Sequence, residues 1–125
     1  MPIIKSSLAP SFELPALAVR GLAAPSRGAR ETCVWQLTLP PRTPGTPHSV
    51  DREEIFVALG GEAQIAIDGA SPVALGVGDA AIVPAGRLFS LSNPGPEPFT
   101  ALAVLPVGGQ ASLPGQAPFC PPWAV

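Results

Sequence analysis

Histidine, tyrosine and charged residues are scarce in this chain of 125 residues. It contains one histidine and no tyrosine, and only 13% of its residues are charged. The seven basic residues are scattered along the sequence, which argues against a nucleic-acid-binding surface. No apolar run is long enough to cross a bilayer, so a membrane-spanning segment is not expected either.

Cysteine is also rare, and its spacing does not indicate a metal site. The only two cysteines, Cys33 and Cys120, form no Cys-x-x-Cys pair of the kind that binds zinc. The N-terminus lacks a basic start followed by an apolar stretch, so no secretion signal is predicted. We therefore expect a cytoplasmic protein whose cysteines remain thiols in a reducing compartment.

Glycine and proline, in contrast, are abundant, with 13 and 18 residues, and they separate short apolar and β-branched runs as turns do. The stretch 14–24 is interrupted by Pro15 and Gly21 and lacks a helical period, so no helix is predicted there. The alternating and β-branched runs predict strands instead. These predicted strands are residues 31–39, 54–59, 63–68, 73–75, 80–83, 88–92 and 100–105.

Many short strands at close spacing are typical of a β-sandwich or a closed barrel, and a jelly roll suits this chain length. We predict a single all-β domain in three parts. Residues 30–106 form the barrel, residues 1–29 form an N-terminal arm or additional strands, and residues 107–125 form a Pro/Gly-rich tail packed on the barrel. In the tail, Phe119 and Trp123 are the side chains expected to dock.

Two segments carry the spacing of a known family. The first begins at His48 and reads HSVDREEIFVALGGE, and the second runs from Gly78 to Asn93 and reads GDAAIVPAGRLFSLSN. Both resemble the two motifs of cupins, in which H-x-H precedes a Glu and a Gly, and G-x5-P-x-G-x2-H-x3-N follows. The matching positions are His48, Glu54, Gly61, Gly78, Pro84, Gly86 and Asn93. The resemblance is to small single-domain cupins of the cupin-2 type, and it implies a single jelly-roll β-barrel.

The resemblance also implies a metal site, and this chain keeps only half of it. In cupins the two histidines of the first motif, its glutamate and the histidine of the second motif hold one divalent metal. His48 and Glu54 occupy two of these positions, whereas Val50 and Phe89 occupy the other two and offer no lone pair. No bound cofactor is therefore expected. A site for Fe, Mn, Ni, Cu or Zn on His48 and Glu54 is kept as an alternative.

A metal would need further ligands in that alternative. The candidate thiolate ligands are Cys33 and Cys120. A free cysteine is more often a small buried hydrophobic residue, and this interpretation is the simpler one for both.

His48 and Glu54 can act without a metal, because an imidazole and a carboxyl group within hydrogen-bond reach form an acid–base pair near neutral pH. Burial would raise the pKa of Glu54, and a neighbouring charged imidazole would oppose that shift. The sequence thus favours a small-molecule-binding protein that is a candidate metal-independent isomerase, cyclase or lyase. Two alternatives stay open, namely a metal-dependent, dioxygenase-like enzyme and a non-enzymatic ligand-binding module.

Apolar residues at two former ligand positions predict a partly apolar ligand. The expected pocket residues are Val50, Phe89, Phe56, Trp35 and Gln36. Trp35 and Gln36 are adjacent on one predicted strand, so only one of them can face the cavity, and Trp35 is the better candidate.

The resemblance further implies a homodimer, because cupins associate through sheet edges and N-terminal strands. Residues 3–22 are the segment expected to cross to a partner. An exposed sheet edge needs such a cover, which supports the same expectation.

Overall fold

The structure is a computed structural model that describes all 125 residues, and strands account for nearly all of its regular elements. The strands are β1 (Ser11–Leu14), β2 (Leu17–Ala23), β3 (Thr32–Leu39), β4 (Ser49–Val50), β5 (Glu54–Gly60), β6 (Glu62–Ile67), β7 (Val73–Gly76), β8 (Ala80–Val83), β9 (Phe89–Ser92), β10 (Phe99–Pro106) and β11 (Ala111–Ser112). Three single 3-10 turns complete the chain, at Ser6–Leu8, Pro25–Arg27 and Pro122–Ala124. None of these helical turns is long and apolar enough to cross a membrane.

All seven predicted strands are confirmed, and each observed boundary lies within one residue of its prediction. The sequence set no bounds for β1 and β2, which lie in the segment 1–29 expected to form an arm or additional strands, and it missed β4 and β11. The strand β2 contains Ala18, Gly21 and Ala23, residue types that have little intrinsic preference for strands, and it is held by pairing with β3. The strands β4 and β11 are two residues long and are defined only by their pairing with each other.

The chain folds as an antiparallel jelly roll of three sheets. The largest has the strand order β1-β2-β3-β10-β5-β8, the second is β7-β6-β9, and β4 pairs with β11. The predicted all-β jelly-roll class is thereby confirmed.

The inner face of the largest sheet combines small and large side chains in a fixed register. In the central strand β10, Ala103 lies between Trp35 of β3 and Phe56 of β5. All three are buried, and Ala101 one pleat away is buried as well. Because alanine leaves space above the sheet, the large rings on both sides can extend into the interior, where the cavity described below is found.

The N-terminal segment belongs to this same sheet within the chain. The strand β1 pairs with β2, and β2 pairs with β3, all antiparallel. The outer face of the sheet is also apolar, with Val34, Val104, Ile55 and Ile82 aligned across four strands. The homodimer and the crossing of residues 3–22 to a partner stay predictions.

The C-terminal tail is more ordered than its composition implied, because contacts distant in sequence hold it. Phe119 pairs with Ala111 through two backbone hydrogen bonds of 2.8 and 2.9 Å. The Arg27 guanidinium donates to the Trp123 carbonyl at 3.3 Å, and Trp123 packs against the hydrophobic core. The predicted docking of the tail thus involves Trp123, whereas Phe119 remains partly exposed.

Asn93, the last residue of the second motif, is a structural residue. Its side chain is fully buried and its Nδ2 atom donates to the carbonyls of Leu39, Pro40 and Glu97 at 3.2, 3.2 and 2.7 Å. Its Oδ1 atom accepts from the backbone N–H of Gly95 at 3.1 Å. One amide therefore satisfies backbone groups of the turns that follow β3 and β9, which would otherwise be buried without partners.

Gly61 forms the corner between β5 and β6, where no side chain fits. Its φ is +74°, and a Cβ atom there would lie 2.3 Å from the Pro98 carbonyl oxygen. Gly69 provides a matched comparison, because its φ is +73° and a Cβ atom would meet nothing within 4 Å.

We predict that Gly69→Ala lowers the free energy of unfolding by about 1 kcal/mol, the cost of a left-handed backbone for alanine. Gly61→Ala carries the same backbone cost plus a backbone clash, so it should lose ~3 kcal/mol or more. Urea unfolding of both variants measures the difference. Equal losses would mean that the Pro98 contact does not constrain this corner.

Candidate functional site

A cavity of about 370 Å³ opens between the sheets. Fifteen of its 22 lining residues are hydrophobic. Four others have polar side chains, namely Thr43, Thr46, His48 and Glu54. Its apolar walls come from β3, β5, β9 and β10, and two further segments contribute, the β1–β2 turn and the C-terminal tail. The cavity is therefore an apolar chamber with a few polar groups, which is the usual composition of a small-molecule site.

Glu54 is the most unusual residue of this chamber. It is the first residue of β5, and strand alternation places it on the inner face with Phe56 and Ala58. Its side chain is 4% exposed, and its Oε1 atom has no hydrogen-bond partner. Burial raises the pKa of Glu54 from its usual value of 4.5 to about 8. The carboxyl group is consequently protonated and neutral at pH 7.

His48 lies at the same cavity and is held on two sides. Its backbone exchanges two hydrogen bonds with Phe89, of 2.8 and 2.9 Å, and its ring packs on the Phe89 ring at 4.3 Å between centroids. Its Nδ1 atom lies 2.9 Å from the Thr46 carbonyl oxygen. Since a carbonyl only accepts, Nδ1 carries the proton, and in the neutral ring Nε2 has a free lone pair.

Both predicted acid–base residues thus line one cavity, but they do not form the expected pair. The structure contains no hydrogen bond between them; Oε1 of Glu54 has no partner, and Nδ1 of His48 contacts the Thr46 carbonyl oxygen. The sequence also predicted that burial would raise the pKa of Glu54. This shift is confirmed in direction, and burial is its cause.

Four of the five predicted pocket residues line the cavity, namely Val50, Phe89, Phe56 and Trp35. Gln36 does not, and its assignment to the pocket is wrong. The physical reason is the pleat of β3, which turns Trp35 inward, whereas the half-exposed Gln36 follows on the opposite face.

The donor set does not fit the divalent metal that the two motifs imply. Val50 and Phe89 fill two of the four ligand positions with buried apolar side chains, leaving only His48 and Glu54. No group of three or more His, Cys, Asp or Glu side chains is arranged to hold a metal ion.

The cysteines do not complete the site. The Sγ atoms of Cys33 and Cys120 lie 3.5 and 3.9 Å from the carbonyl oxygen of Ala124, and neither residue lines the cavity. Burial raises the pKa of the Cys33 thiol, which disfavours the thiolate that a metal requires. Their assignment as additional ligands is therefore not supported by their positions.

Sequence reasoning missed Trp123 as a cavity residue. It lines the chamber from the tail, with its ring 6.3 Å from that of Trp35 and 5.9 Å from that of Phe12. Its indole Nε1 atom is buried and has no hydrogen-bond acceptor. The only signal in the sequence was an aromatic residue in a Pro/Gly-rich tail, which predicts docking but not the place of docking.

We predict that Glu54→Gln gains stability over the wild type as pH rises. The folded protein keeps a proton that the unfolded chain releases above pH ~4.5, so the wild type is penalised increasingly up to pH ~8. The advantage of the variant should grow by roughly 1 kcal/mol per pH unit across this window. Urea unfolding between these pH values measures it.

The matched control is Glu53→Gln, which removes the same charge from the exposed neighbouring residue. Its stability relative to the wild type should not change through this window. If the curves for the two variants run parallel, the carboxyl group of Glu54 is not held neutral by burial.

Comparison with known proteins agrees with this arrangement of strands. The family described as "Cupin domain" matches residues 35–105. No curated protein matches the sequence significantly.

Among solved structures, the polyketide cyclase RemF from Streptomyces resistomycificus is similar, with a TM-score of 0.81 and 16% identity over 94% of this chain and 87% of that one. KdgF from Halomonas sp. gives a TM-score of 0.70 and 15% identity over 83% of this chain and 93% of that chain. The DMSP lyase DddQ from Ruegeria pomeroyi gives 0.68 and 21% identity over 90% and 61%. At these identities the likeness is one of fold. With a family match over more than half of its length, the chain belongs to the cupin family.

Proposed function

We propose that this cupin binds an apolar small molecule in its cavity and moves a proton on it, with Glu54 and His48 as the acid–base groups and without a metal. The observation that carries the proposal is the carboxyl group of Glu54, which is 4% exposed, unpartnered at Oε1 and surrounded by an apolar chamber. A buried carboxyl without a partner lowers stability, so its retention calls for a functional reason.

The chamber suits an apolar ligand in both size and lining. Its volume of about 370 Å³ falls within the range of small-molecule sites, ~300–1,000 Å³. Val50 and Phe89 occupy positions where a metal-binding cupin would present imidazoles, and they make the wall around Glu54 apolar. A ligand that replaces water here would gain from apolar contact and would further lower the dielectric around the carboxyl group.

The protonation states suit acid–base catalysis near neutral pH. A pKa of about 8 makes Glu54 a general acid at pH 7 and a general base at higher pH. The Nε2 lone pair of His48 is available to accept a proton in the neutral ring. One group can thus donate to the ligand while the other accepts from it, which leaves the protein with an unchanged number of protons after each cycle.

The names of two similar structures support this type of reaction. RemF is described as a polyketide cyclase and DddQ as a DMSP lyase, and cyclase and lyase are two of the reaction types that the sequence favoured. The metal-dependent alternative finds less support, since two of the four ligand positions hold apolar side chains. A non-enzymatic binding module would use the same cavity and is separated from an enzyme by the second experiment below.

The first experiment measures binding of N-phenyl-1-naphthylamine, a neutral fluorescent probe. The probe excludes water from Glu54 and so disfavours the carboxylate. The dissociation constant of the wild type should therefore rise about tenfold from pH ~7 to pH ~9. Glu54→Gln should bind the probe with a constant that does not change with pH, and Glu53→Gln should behave as the wild type. Absence of binding, or the same pH dependence in all three proteins, would contradict the proposal.

The second experiment follows deuterium uptake from D2O into 2-tetralone, an apolar ring ketone, by NMR. The wild type should accelerate exchange of the hydrogens next to the carbonyl, because a base removes such a proton and the protonated carboxyl returns one. Glu54→Gln should lower the catalysed rate at least tenfold, and Glu53→Gln should not. Probe binding with the predicted pH dependence but without catalysed exchange would identify a binding module and contradict the catalytic part.

A further inference from the structure

We infer that the indole N–H of Trp123 is the hydrogen-bond donor that selects the ligand, and that the ligand class is an aromatic ring compound bearing a carbonyl oxygen. This inference rests on the proposed function, since it names the kind of molecule that the same cavity takes. It concerns a residue in the C-terminal tail, outside the two motifs of the family.

Trp123 carries a hydrogen-bond donor that has no acceptor. Its Nε1 atom is buried and has no acceptor. A buried N–H without an acceptor is unfavourable, so a ligand that brings an acceptor to it gains affinity. Trp123 is itself a lining residue of the cavity, so the ring that carries this donor borders the site.

Contacts of its backbone and of its ring hold Trp123 in position. Its backbone carbonyl accepts from Arg27 at 3.3 Å, and the carbonyl of Ala124 next to it accepts from the Cys33 thiol at 3.5 Å. Its ring packs edge-on against Phe12 and at a tilt against Trp35. A ring fixed from both the backbone and the side-chain side is preorganised to recognise a ligand.

The unpartnered polar groups of the cavity residues determine the polarity that the ligand must have. The two buried polar side-chain atoms without partners, Nε1 of Trp123 and Oε1 of Glu54, belong to residues that line the same cavity. The other buried polar residue of the lining, Thr43, already donates to the Pro40 carbonyl at 2.7 Å. At pH 7 Glu54 is protonated, so both unpartnered residues present donors. Acceptor oxygens on the ligand complement them, and a carbonyl is the acceptor that also supports proton transfer at the neighbouring carbon.

The aromatic lining of the cavity determines which apolar framework the ligand has. Five aromatic residues line the cavity, namely Trp35, Phe56, Phe89, Phe119 and Trp123. Their rings favour stacked or edge-on contacts with another ring, in addition to apolar burial. The cavity volume, its aromatic walls and the two unpartnered donors together favour an aromatic carbonyl compound.

The test compares two probes of one shape, 2-acetonaphthone and 2-ethylnaphthalene, which differ in the carbonyl oxygen. Each is titrated at pH ~7 against bound N-phenyl-1-naphthylamine. The wild type should bind the ketone about tenfold more tightly than the hydrocarbon. Trp123→Phe should reduce this ratio about fivefold, since one hydrogen bond contributes ~1 kcal/mol.

Trp35→Phe is the matched control, because it shortens the other tryptophan of the cavity. It should weaken binding of both probes alike and leave their ratio unchanged. A Trp123→Phe ratio equal to that of the wild type would overturn the inference, whereas failure of N-phenyl-1-naphthylamine to bind any of the proteins would instead contradict the proposed function.

A measurement on the wild type makes the test independent of how well Trp123→Phe folds. The chain has two tryptophans, so its ¹H–¹⁵N spectrum shows two indole signals, and Trp35→Phe assigns them. The ketone should move the Trp123 signal downfield, as expected for a new hydrogen bond, and 2-ethylnaphthalene should not. Identical shifts with both probes would overturn the inference.

Discussion

The burial of one carboxyl group in an apolar chamber is the constraint around which this site is organised. β5 is paired on both sides, with β10 and β8, so its register cannot slip without moving Phe56 and Ala58 out of the core. That register turns Glu54 inward, where it finds no partner. Burial raises the pKa of the group to about 8, so the carboxyl group is neutral at pH 7.

The cavity itself follows from side-chain sizes on the central strand. Ala101 and Ala103 of β10 carry little volume, while Trp35 and Phe56 on the flanking strands carry much. If all of these side chains were large, they would fill the interior. If all were small, no aromatic rings would line the cavity. The tail then closes one side of the space with Trp123, anchored by Arg27. Sheet register and tail anchoring together decide what the chamber can hold.

Much of this fold could be predicted from the sequence, because turn signals and alternation are local properties. Gly78, Pro84 and Gly86 delimit strands by their backbone preferences, and the seven strands predicted from such signals are confirmed. Two-residue strands such as β4 carry no local signal and could not be found. The inward position of Glu54 followed from its place in the motif, whereas the missing contact with His48 depends on side-chain directions that spacing does not set.

The cavity role of Trp123 lay beyond sequence reasoning for a related reason. Its position is decided by contacts with Arg27 and Phe12, about a hundred residues away in sequence. The position of Gln36, in contrast, could be predicted from local sequence. The alternation of β3 favours Trp35 as the inward residue, which places Gln36 on the opposite face. Patterns of period two predict which face a residue occupies, but not which distant segment covers that face.

The ionisation of Glu54 in the folded protein tests its role as an acid most directly. The ¹³C signal of its side-chain carboxyl carbon, assigned by its loss in Glu54→Gln, can be followed by NMR against pH. We predict a titration midpoint near pH 8. A midpoint near the usual value of 4.5 would show that the carboxyl is charged at neutral pH, and it would contradict the acid role assigned to Glu54.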